Sequence, residues 1–218
     1  MTETVAIVDY GSGNLRSAQK AFERAARETG RPARVIVSDK PDDIGGADRV
    51  VLPGVGAFAA CMAGLAARPG LLEALEHAVL TAKRPFLGVC VGMQLLAERG
   101  LEFGETRGLA WLPGEVRRLA LEDPSIKIPH MGWNDVEFLA PGHPLCAGVD
   151  GADAVFYFVH SFHFAPENDA HLIGVSVHGQ RFAAMVGRDN IAGVQFHPEK
   201  SQAAGLRLIS NFLAWDPA

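Results

Sequence analysis

The sequence predicts an α/β fold with a central, mostly parallel sheet flanked by helices and with added antiparallel strands in the C-terminal half. In residues 1–100, short apolar or β-branched runs alternate with segments of helical spacing, which is the pattern of strand-helix-strand units. From Gly114 onward, short extended runs follow one another closely, which favours hairpins. Neither an internal repeat nor a long linker divides the sequence, so we expect one domain over residues 1–218.

Apolar runs and breaker residues place the elements of the first half. The run 4–9 predicts a buried first strand, and the turn-forming residues 10–14 predict a loop before a helix over 15–29. We expect further strands over 33–37, 49–52 and 85–89, two consecutive helices over 57–67 and 71–82, and a helical segment over 93–98.

The second half is predicted to be rich in strands and to end in a helix. Extended runs cover residues 115–120, 135–138, 154–159, 171–178, 182–186 and 191–196. The closing segment 203–215 places Leu206, Ile209 and Leu213 on one face, which is typical of an amphipathic helix.

Composition and charge exclude several classes of function. Hydrophobic residues make up 48% of the chain and charged residues 21%, an ordinary globular mixture rather than a disordered or fibrous one. The net charge of -5 supplies no basic field for a nucleic acid. The first residues lack the basic run of a secretory signal, and no apolar run reaches the roughly eighteen residues of a membrane span. We therefore expect a cytoplasmic protein with neither a nucleic-acid nor a membrane partner.

Three cysteines occur, at Cys61, Cys90 and Cys146. Their odd number and the lack of a CxxC spacing favour neither a disulfide framework nor a zinc site. Cys61 and Cys146 have no neighbouring base in sequence, and we interpret both as packing residues.

The sequence around Cys90 predicts an activated nucleophile. Gly88-Val89-Cys90-Val91-Gly92 lies between a predicted strand and a helical segment and has the form G-x-nucleophile-x-G, in which small residues permit a tight turn. Backbone N–H groups at the start of the following helix favour the thiolate, and the Val91 N–H can donate to an oxyanion. Alone, the motif is equally compatible with a structural cysteine in a glycine-rich turn.

A histidine and a carboxylate follow the last predicted strand. In extended chain, residues two apart point to the same side, so Glu199 can orient the imidazole of His197 toward a thiol. Alone, such a pair is more typical of a solvated polar loop after a strand. Together with Cys90 it predicts a Cys-His-Glu triad for acyl transfer. Pro53-Gly54-Val55-Gly56, after another strand, is a candidate source of oxyanion donors, although this segment taken alone is more typical of a plain turn.

These motifs, taken together, resemble class I glutamine amidotransferase domains over almost the whole chain. The matching segments are 8–15, 53–58, 88–94, Pro129-His130-Met131-Gly132-Trp133-Asn134, Tyr157-Phe158-Val159-His160-Ser161-Phe162 and 193–201. The resemblance implies a three-layer, flavodoxin-like fold and a glutaminase without metal or organic cofactor. It assigns Cys90 as nucleophile, His197 as general base and acid, and Glu199 as the residue that orients it.

Other parts of the resemblance concern the substrate L-glutamine. It places Gly56, Gln94, His160, Ser161 and Phe162 where relatives hold the amino-acid end of glutamine. The Val91 N–H and the strand Gly54, Val55, Gly56 would form the oxyanion hole. Two positions depart from the common pattern: Val flanks Cys90 where Ile and Leu are frequent, and Phe162 replaces a frequent Tyr and so lacks its hydroxyl.

Three segments resemble one branch of the family, the glutaminase subunits of imidazole glycerol phosphate synthase. The resemblance implies a heterodimer with a (β/α)8-barrel cyclase that consumes the ammonia in histidine biosynthesis, and we expect residues 129–134 with Val55 to face it. The alternative for Trp133 is internal packing, which is the more common role of a large aromatic side chain. The alternatives are a glutaminase subunit of another ammonia-channelling synthase, a stand-alone γ-glutamyl thiol hydrolase, and a silent regulatory subunit of the same fold.

Overall fold

The computed structural model describes residues 2–120, 123, 125–149, 151 and 154–217. Its first half alternates strands and helices, as the hydrophobic pattern predicts. The elements are β1 (Glu3–Val8), α1 (Leu15–Glu28), β2 (Ala33–Ser38), α2 (Pro41–Gly45), β3 (Arg49–Gly54), α3 (Phe58–Ala66), α4 (Leu71–Glu76), β4 (Phe86–Cys90) and α5 (Val91–Gln94). A π-helical turn, His77–Thr81, continues α4.

The second half is dominated by strands and closes with a helix. The elements are β5 (Arg99–Gly100), β6 (Thr106–Arg107), β7 (Gly114–Arg118), β8 (His130–Asp135), β9 (Glu137–Phe138), β10 (Val155–His160), β11 (Phe162–Pro166), β12 (Leu172–His178), β13 (Gln180–Arg188), β14 (Ile191–Val194) and α6 (Gln202–Ala214).

Eight of the described strands form one mixed sheet in the order β2-β1-β3-β4-β14-β13-β12-β9. The first five run parallel, whereas β13, β12 and β9 are antiparallel additions, so the predicted fold class is confirmed. Because β3 and β14 lie on either side of β4 and parallel to it, the segments that follow these three strands meet at one edge of the sheet.

The centre of the sheet is the core of the protein. All residues of β3 and β4 are buried, as expected of parallel strands covered on both faces. Helix α1 buries Ala18, Phe22, Ala25 and Ala26, whose spacing follows one face of a helix. Phe22 meets Phe212 of α6 edge to face, with ring centroids 6.0 Å apart.

The helical segment predicted over 93–98 is wrong beyond α5, which ends at Gln94. The Leu95, Leu96 and Ala97 carbonyls accept hydrogen bonds from the returning segment 109–112 rather than from a next helical turn. These long-range bonds override a local pattern of good helix formers. The short elements α2, β5, β6 and β11 were not predicted, and β8 begins five residues before the predicted run 135–138.

Among the described helices, none is by itself both long and apolar enough to cross a membrane. Only α3 and the segment Leu71–Thr81 taken together, a pair bent by 99°, have the length and apolar composition of a membrane span among the described residues. Within the same residues, no group of three or more His, Cys, Asp or Glu side chains is placed to hold a metal ion.

Candidate active site

Cys90 occupies a sharp turn between β4 and α5. Its backbone is left-handed, with φ +55° and ψ -111°, a conformation that costs free energy for a non-glycine residue. A side chain at Gly92 would collide with the Leu52 carbonyl, and one at Gly88 would collide with the Gly92 backbone. Gly92 is therefore required where α5 packs against β3, and Gly88 where β4 packs against α5, and this close packing holds the strained turn that presents the thiol.

His197 and Glu199 form a buried pair just after β14. The Nδ1 atom of His197 lies 2.9 Å from Oε1 of Glu199, and their side chains are 3% and 5% exposed. Since the carboxylate accepts from Nδ1–H, the Nε2 atom is the one that can exchange a proton with a substrate. It has no hydrogen-bond partner among the described residues. The His197 N–H donates to the Tyr157 carbonyl, and the Ser201 hydroxyl donates to the His197 carbonyl, so these two hydrogen bonds fix the turn.

The environment of His197 favours its charged form. Burial lowers the pKa of the imidazole, but its interactions with Cys90 and then with Glu199 outweigh burial and raise the pKa to about 9. At neutral pH His197 can therefore be an imidazolium, the form that can give a proton to a leaving group.

A cavity of about 280 Å³ opens above Cys90 and His197. Every residue predicted to contact the substrate lines this cavity except Gly54, which lies in β3 opposite Cys90. Its lining comprises Val55, Gly56, Cys90, Val91, Gln94, Glu102, Pro129, Val159, His160, Ser161, Phe162 and His197.

Glu102 is a lining residue that the sequence analysis missed. Among the described lining residues it is the only acidic one, and its Oε2 atom accepts from the Phe58 N–H at the start of α3 at 2.8 Å. It lies in the loop after β5, where an acidic residue has no distinguishing pattern. Only the return of this loop toward α3 reveals it as part of the site.

Hydrogen bonds to the Phe162 carbonyl hold one wall of the cavity. Gln94 donates from Nε2 at 2.9 Å, and His160 donates from Nδ1 at 2.9 Å, since a carbonyl can only accept. His130 then donates from Nδ1 to His160 Nε2 at 3.0 Å, and Asn134 donates to His130 Nε2 at 3.2 Å. The Phe162 carbonyl thus determines the tautomers of both histidines.

Burial keeps the histidines of this wall neutral. It lowers the pKa of His160 to about 3 and of His130 to about 4, with smaller effects of neighbouring groups. Burial, aided by Arg117, also lowers the pKa of His163 in β11 to about 4. Neutral imidazoles suit the network because protonation would bring two N–H groups face to face.

The free energy of unfolding should fall as the solution is acidified from pH 6.5 toward 4. In this range the histidines bind protons in the unfolded chain but stay neutral in the folded protein, where burial lowers their pKa. At pH 5 the variant His163→Gln should reduce the slope of unfolding free energy against pH by about 1 kcal/mol per unit. Urea titrations across this range measure the slope. His77→Gln, at an exposed histidine, is the matched control; equal slopes for both variants would contradict the assignment.

The expected oxyanion strand does not offer the Val55 N–H to the cavity. That N–H donates to Ser12 Oγ at 3.0 Å, and the Ser12 hydroxyl donates to the Val55 carbonyl at 2.6 Å. Gly56 follows with φ +89°, a conformation in which glycine permits the chain to turn. Val91, as the first residue of α5, carries a backbone N–H without an intrahelical partner.

The chain is similar to known glutamine amidotransferases over almost its whole length. The family described as glutamine amidotransferase class-I matches residues 6–215. The chain is 55% identical over 213 residues to "Imidazole glycerol phosphate synthase subunit HisH" of Rhodospirillum rubrum, covering 98% of this chain and 99% of that protein. The protein of the same name from Agrobacterium fabrum is 56% identical over 215 residues, with 98% and 99% covered.

Solved structures agree on the fold. A crystal structure of a glutamine amidotransferase superposes with a TM-score of 0.67 at 18% identity, covering 96% of this chain and 97% of the other. A glutamine amidotransferase from Thermotoga maritima gives a TM-score of 0.64 at 19% identity, with 91% and 77% covered.

Proposed function

Since this chain belongs to the class I glutamine amidotransferase family, we propose that it hydrolyses L-glutamine as the glutaminase subunit of an imidazole glycerol phosphate synthase. The family predicted from the motifs is confirmed. The observation that supports the reaction most directly is the placement of Cys90, on its strained turn, and the free Nε2 of His197 in the lining of one cavity.

The residues support a two-step acyl transfer. The Cys90 thiolate attacks the glutamine side-chain carbonyl carbon, so that a C–S bond forms and the carbonyl electrons move to oxygen. When the tetrahedral intermediate collapses, the C–N bond breaks and protonated His197 gives its proton to the leaving ammonia. His197 then takes a proton from water, which attacks the thioester; the C–S bond breaks and glutamate leaves.

The cavity has groups for the amino-acid end of glutamine. The Glu102 carboxylate is placed to pair with the α-ammonium group, because it is the one negative charge among the described lining residues outside the triad. Gln94, His160, Ser161 and Phe162 are the proposed neighbours of this end. Val91, and Val55 after a rotation of its peptide, are the proposed oxyanion donors.

Ser12 holds the Val55 peptide away from the reacting atoms. Its hydroxyl both accepts from the N–H and donates to the carbonyl of this one residue, so both bonds must break before the N–H can face the cavity. The proposed enzyme is therefore at rest in this conformation, and a shift in the population of the strand would raise its activity.

The variant Ser12→Ala is expected to increase partner-free glutamate release about five-fold, because losing about 1 kcal/mol of hydrogen bonding shifts the peptide toward the active orientation. Steady-state glutamate assays measure the change. Ser210→Ala, which also removes a hydroxyl bonded to a carbonyl, serves as control on α6. An unchanged or reduced rate in Ser12→Ala would contradict a restraining role.

Ammonia must reach a second site before water protonates it, so the proposed partner covers the mouth of the cavity. Exposed apolar side chains lie at the cavity and along β8, which begins next to the lining residue Pro129. Val55 is 39% exposed at the cavity, and Met131 and Trp133 on one face of β8 are 66% and 47% exposed. The Trp133 ring meets Tyr157 edge to face, and the Tyr157 carbonyl accepts from the His197 N–H, so this face is structurally connected to the triad.

Truncating Trp133 to alanine should weaken binding to the barrel cyclase about ten-fold, as for a central aromatic anchor of an interface. Calorimetry with the purified cyclase measures the dissociation constant. Leu80→Ala is a control at an exposed apolar residue near the opposite edge of the sheet, where Val79 accepts from Asn190. Unchanged affinity and unchanged activation in Trp133→Ala would exclude this face.

The reaction itself is tested by incubating the chain, with its cyclase, with L-glutamine and measuring glutamate and a glutamyl adduct on Cys90 by mass spectrometry. Glutamate formation with an acid-stable adduct confined to Cys90 is the expected result. Glu102→Gln should raise the KM for glutamine and leave kcat nearly unchanged. Hydrolysis of γ-glutamyl peptides in preference to glutamine would favour the stand-alone hydrolase, and no Cys90 adduct at all would favour a silent subunit.

A further inference from the structure

We propose that Gln195 is a catalytic residue, whose side-chain amide donates a hydrogen bond to the sulfur of Cys90 and stabilises its thiolate. The Nε2 atom lies 3.7 Å from Cys90 Sγ, within the range of N–H to sulfur bonds, and Gln195 is fully buried. The inference deepens the proposed function, because it depends on Cys90 as the nucleophile.

The chain places Gln195 and His197 on the same side of the segment after β14. The amide of Gln195 lies at Cys90 and His197 lines the cavity beside it, whereas the ring of Phe196 between them stacks on Phe156, with ring centroids 3.9 Å apart. The Gln195 N–H donates to the Ala184 carbonyl at 2.9 Å, which ties this residue to β13. Both polar side chains therefore reach Cys90 from one rigid segment.

The direction of the bond to sulfur is determined by a carbonyl oxygen, which can only accept. Because the Phe162 carbonyl faces the amide of Gln94, the Gln94 group next to it must be the NH2 group. The same NH2 group lies 3.0 Å from the Gln195 amide, so the Gln195 atom facing it must be the oxygen. The NH2 group of Gln195 is then turned to Cys90 and donates to it.

A neutral donor has a role that His197 cannot fill. During the reaction His197 gives up its proton to the leaving ammonia, and its attraction for the sulfur falls when it does so. The Gln195 amide keeps its hydrogen throughout, and burial makes the bond stronger than it would be in water. We expect it to hold the sulfur in place and to favour its departure as thiolate when the thioester is hydrolysed.

The test compares Gln195→Met, which has similar length and no donor, with Gln195→Glu, which keeps the shape and cannot donate when ionised. Iodoacetamide alkylation of Cys90, followed by mass spectrometry from pH 5 to 10, reports thiolate formation without glutamine. In Gln195→Met the midpoint of alkylation should move to higher pH by about one unit, as expected from the loss of one hydrogen bond to a charged group. In Gln195→Glu the shift should be at least as large, because an ionised carboxylate also repels the thiolate. kcat with the cyclase should fall about ten-fold with the KM for glutamine within two-fold.

Gln180→Met is the control, because it removes another packed amide, bonded to His163 and Ala120, far from the sulfur. Unchanged alkylation midpoints in both folded Gln195 variants would overturn the inference. If Gln195→Met does not fold, Gln195→Glu carries the test, and a midpoint equal to that of the unaltered chain would be decisive against it. Absence of Cys90-dependent glutamate in the unaltered chain would instead overturn the proposed function.

Discussion

Replacing Cys90 with alanine is expected to lower glutamate release by at least about 10⁴-fold, the largest effect of any single substitution in this chain. The carboxamide of glutamine reacts slowly with water, and the thiolate divides that reaction into two easier steps. Without sulfur no thioester can form, so the mass of the glutamyl adduct should also be absent. A fixed-time glutamate assay with the cyclase present measures the loss.

The matched control for this experiment is Cys146→Ala. Burial raises the pKa of the Cys146 thiol to about 11, and this cysteine lies near α6 rather than in the cavity. Activity within two-fold of the unaltered chain is expected for it. Substantial glutamate release by Cys90→Ala would show that another group activates glutamine and would contradict the assignment of the nucleophile.

Replacing His197 with asparagine is expected to reduce kcat by about 10³-fold or more, the second largest effect. Asparagine keeps a polar group of moderate size next to Glu199 but cannot transfer the proton that ammonia needs. Glutamine binding should change little, because the proposed contacts of its amino-acid end lie elsewhere in the cavity. Steady-state kinetics with the cyclase separate kcat from KM.

The pH dependence of kcat in His197→Asn is a second test of the role of His197. In the unaltered chain the raised pKa of His197, about 9, keeps the imidazolium present at neutral pH and lets it lose its proton as the pH approaches 9. This titration should disappear from the kcat profile of His197→Asn. His143→Asn, at a histidine near Trp215 of the C-terminal end, is the control. Retention of the same profile in His197→Asn would contradict its role.

Those parts of the site that follow from local patterns could be predicted from the sequence. The turn around Cys90 requires glycines at defined positions, so a short motif carries this information. The pairing of His197 with Glu199 was also predicted, but Glu199 lies in the 3-10 turn Pro198–Lys200 and not in the extended chain from which the pairing was inferred. The sheet order then explains why segments far apart in sequence meet, as β3, β4 and β14 are adjacent and parallel.

Other features depend on contacts that no local pattern encodes. Glu102 joins the cavity because a loop returns to α3, and Ser12 reaches Val55 across 43 residues. Gln195 lies in the motif from which roles were predicted for His197 and Glu199. Only its distance to Cys90 in the structure shows that its amide can donate to the sulfur. For the same reason the helix predicted over 93–98 was wrong beyond Gln94, since the carbonyls of residues 95–97 bond to residues 109–112.

The most direct test of the account measures glutamate release from L-glutamine under three conditions: the chain alone, the chain with the barrel cyclase, and the chain with the cyclase and its ribonucleotide substrate. The bonds between Ser12 and Val55 predict low activity alone, and a large rise with the liganded cyclase that is abolished in Cys90→Ala. Full turnover by the chain alone, or no response to the liganded cyclase, would contradict a glutaminase whose oxyanion site is completed by its partner.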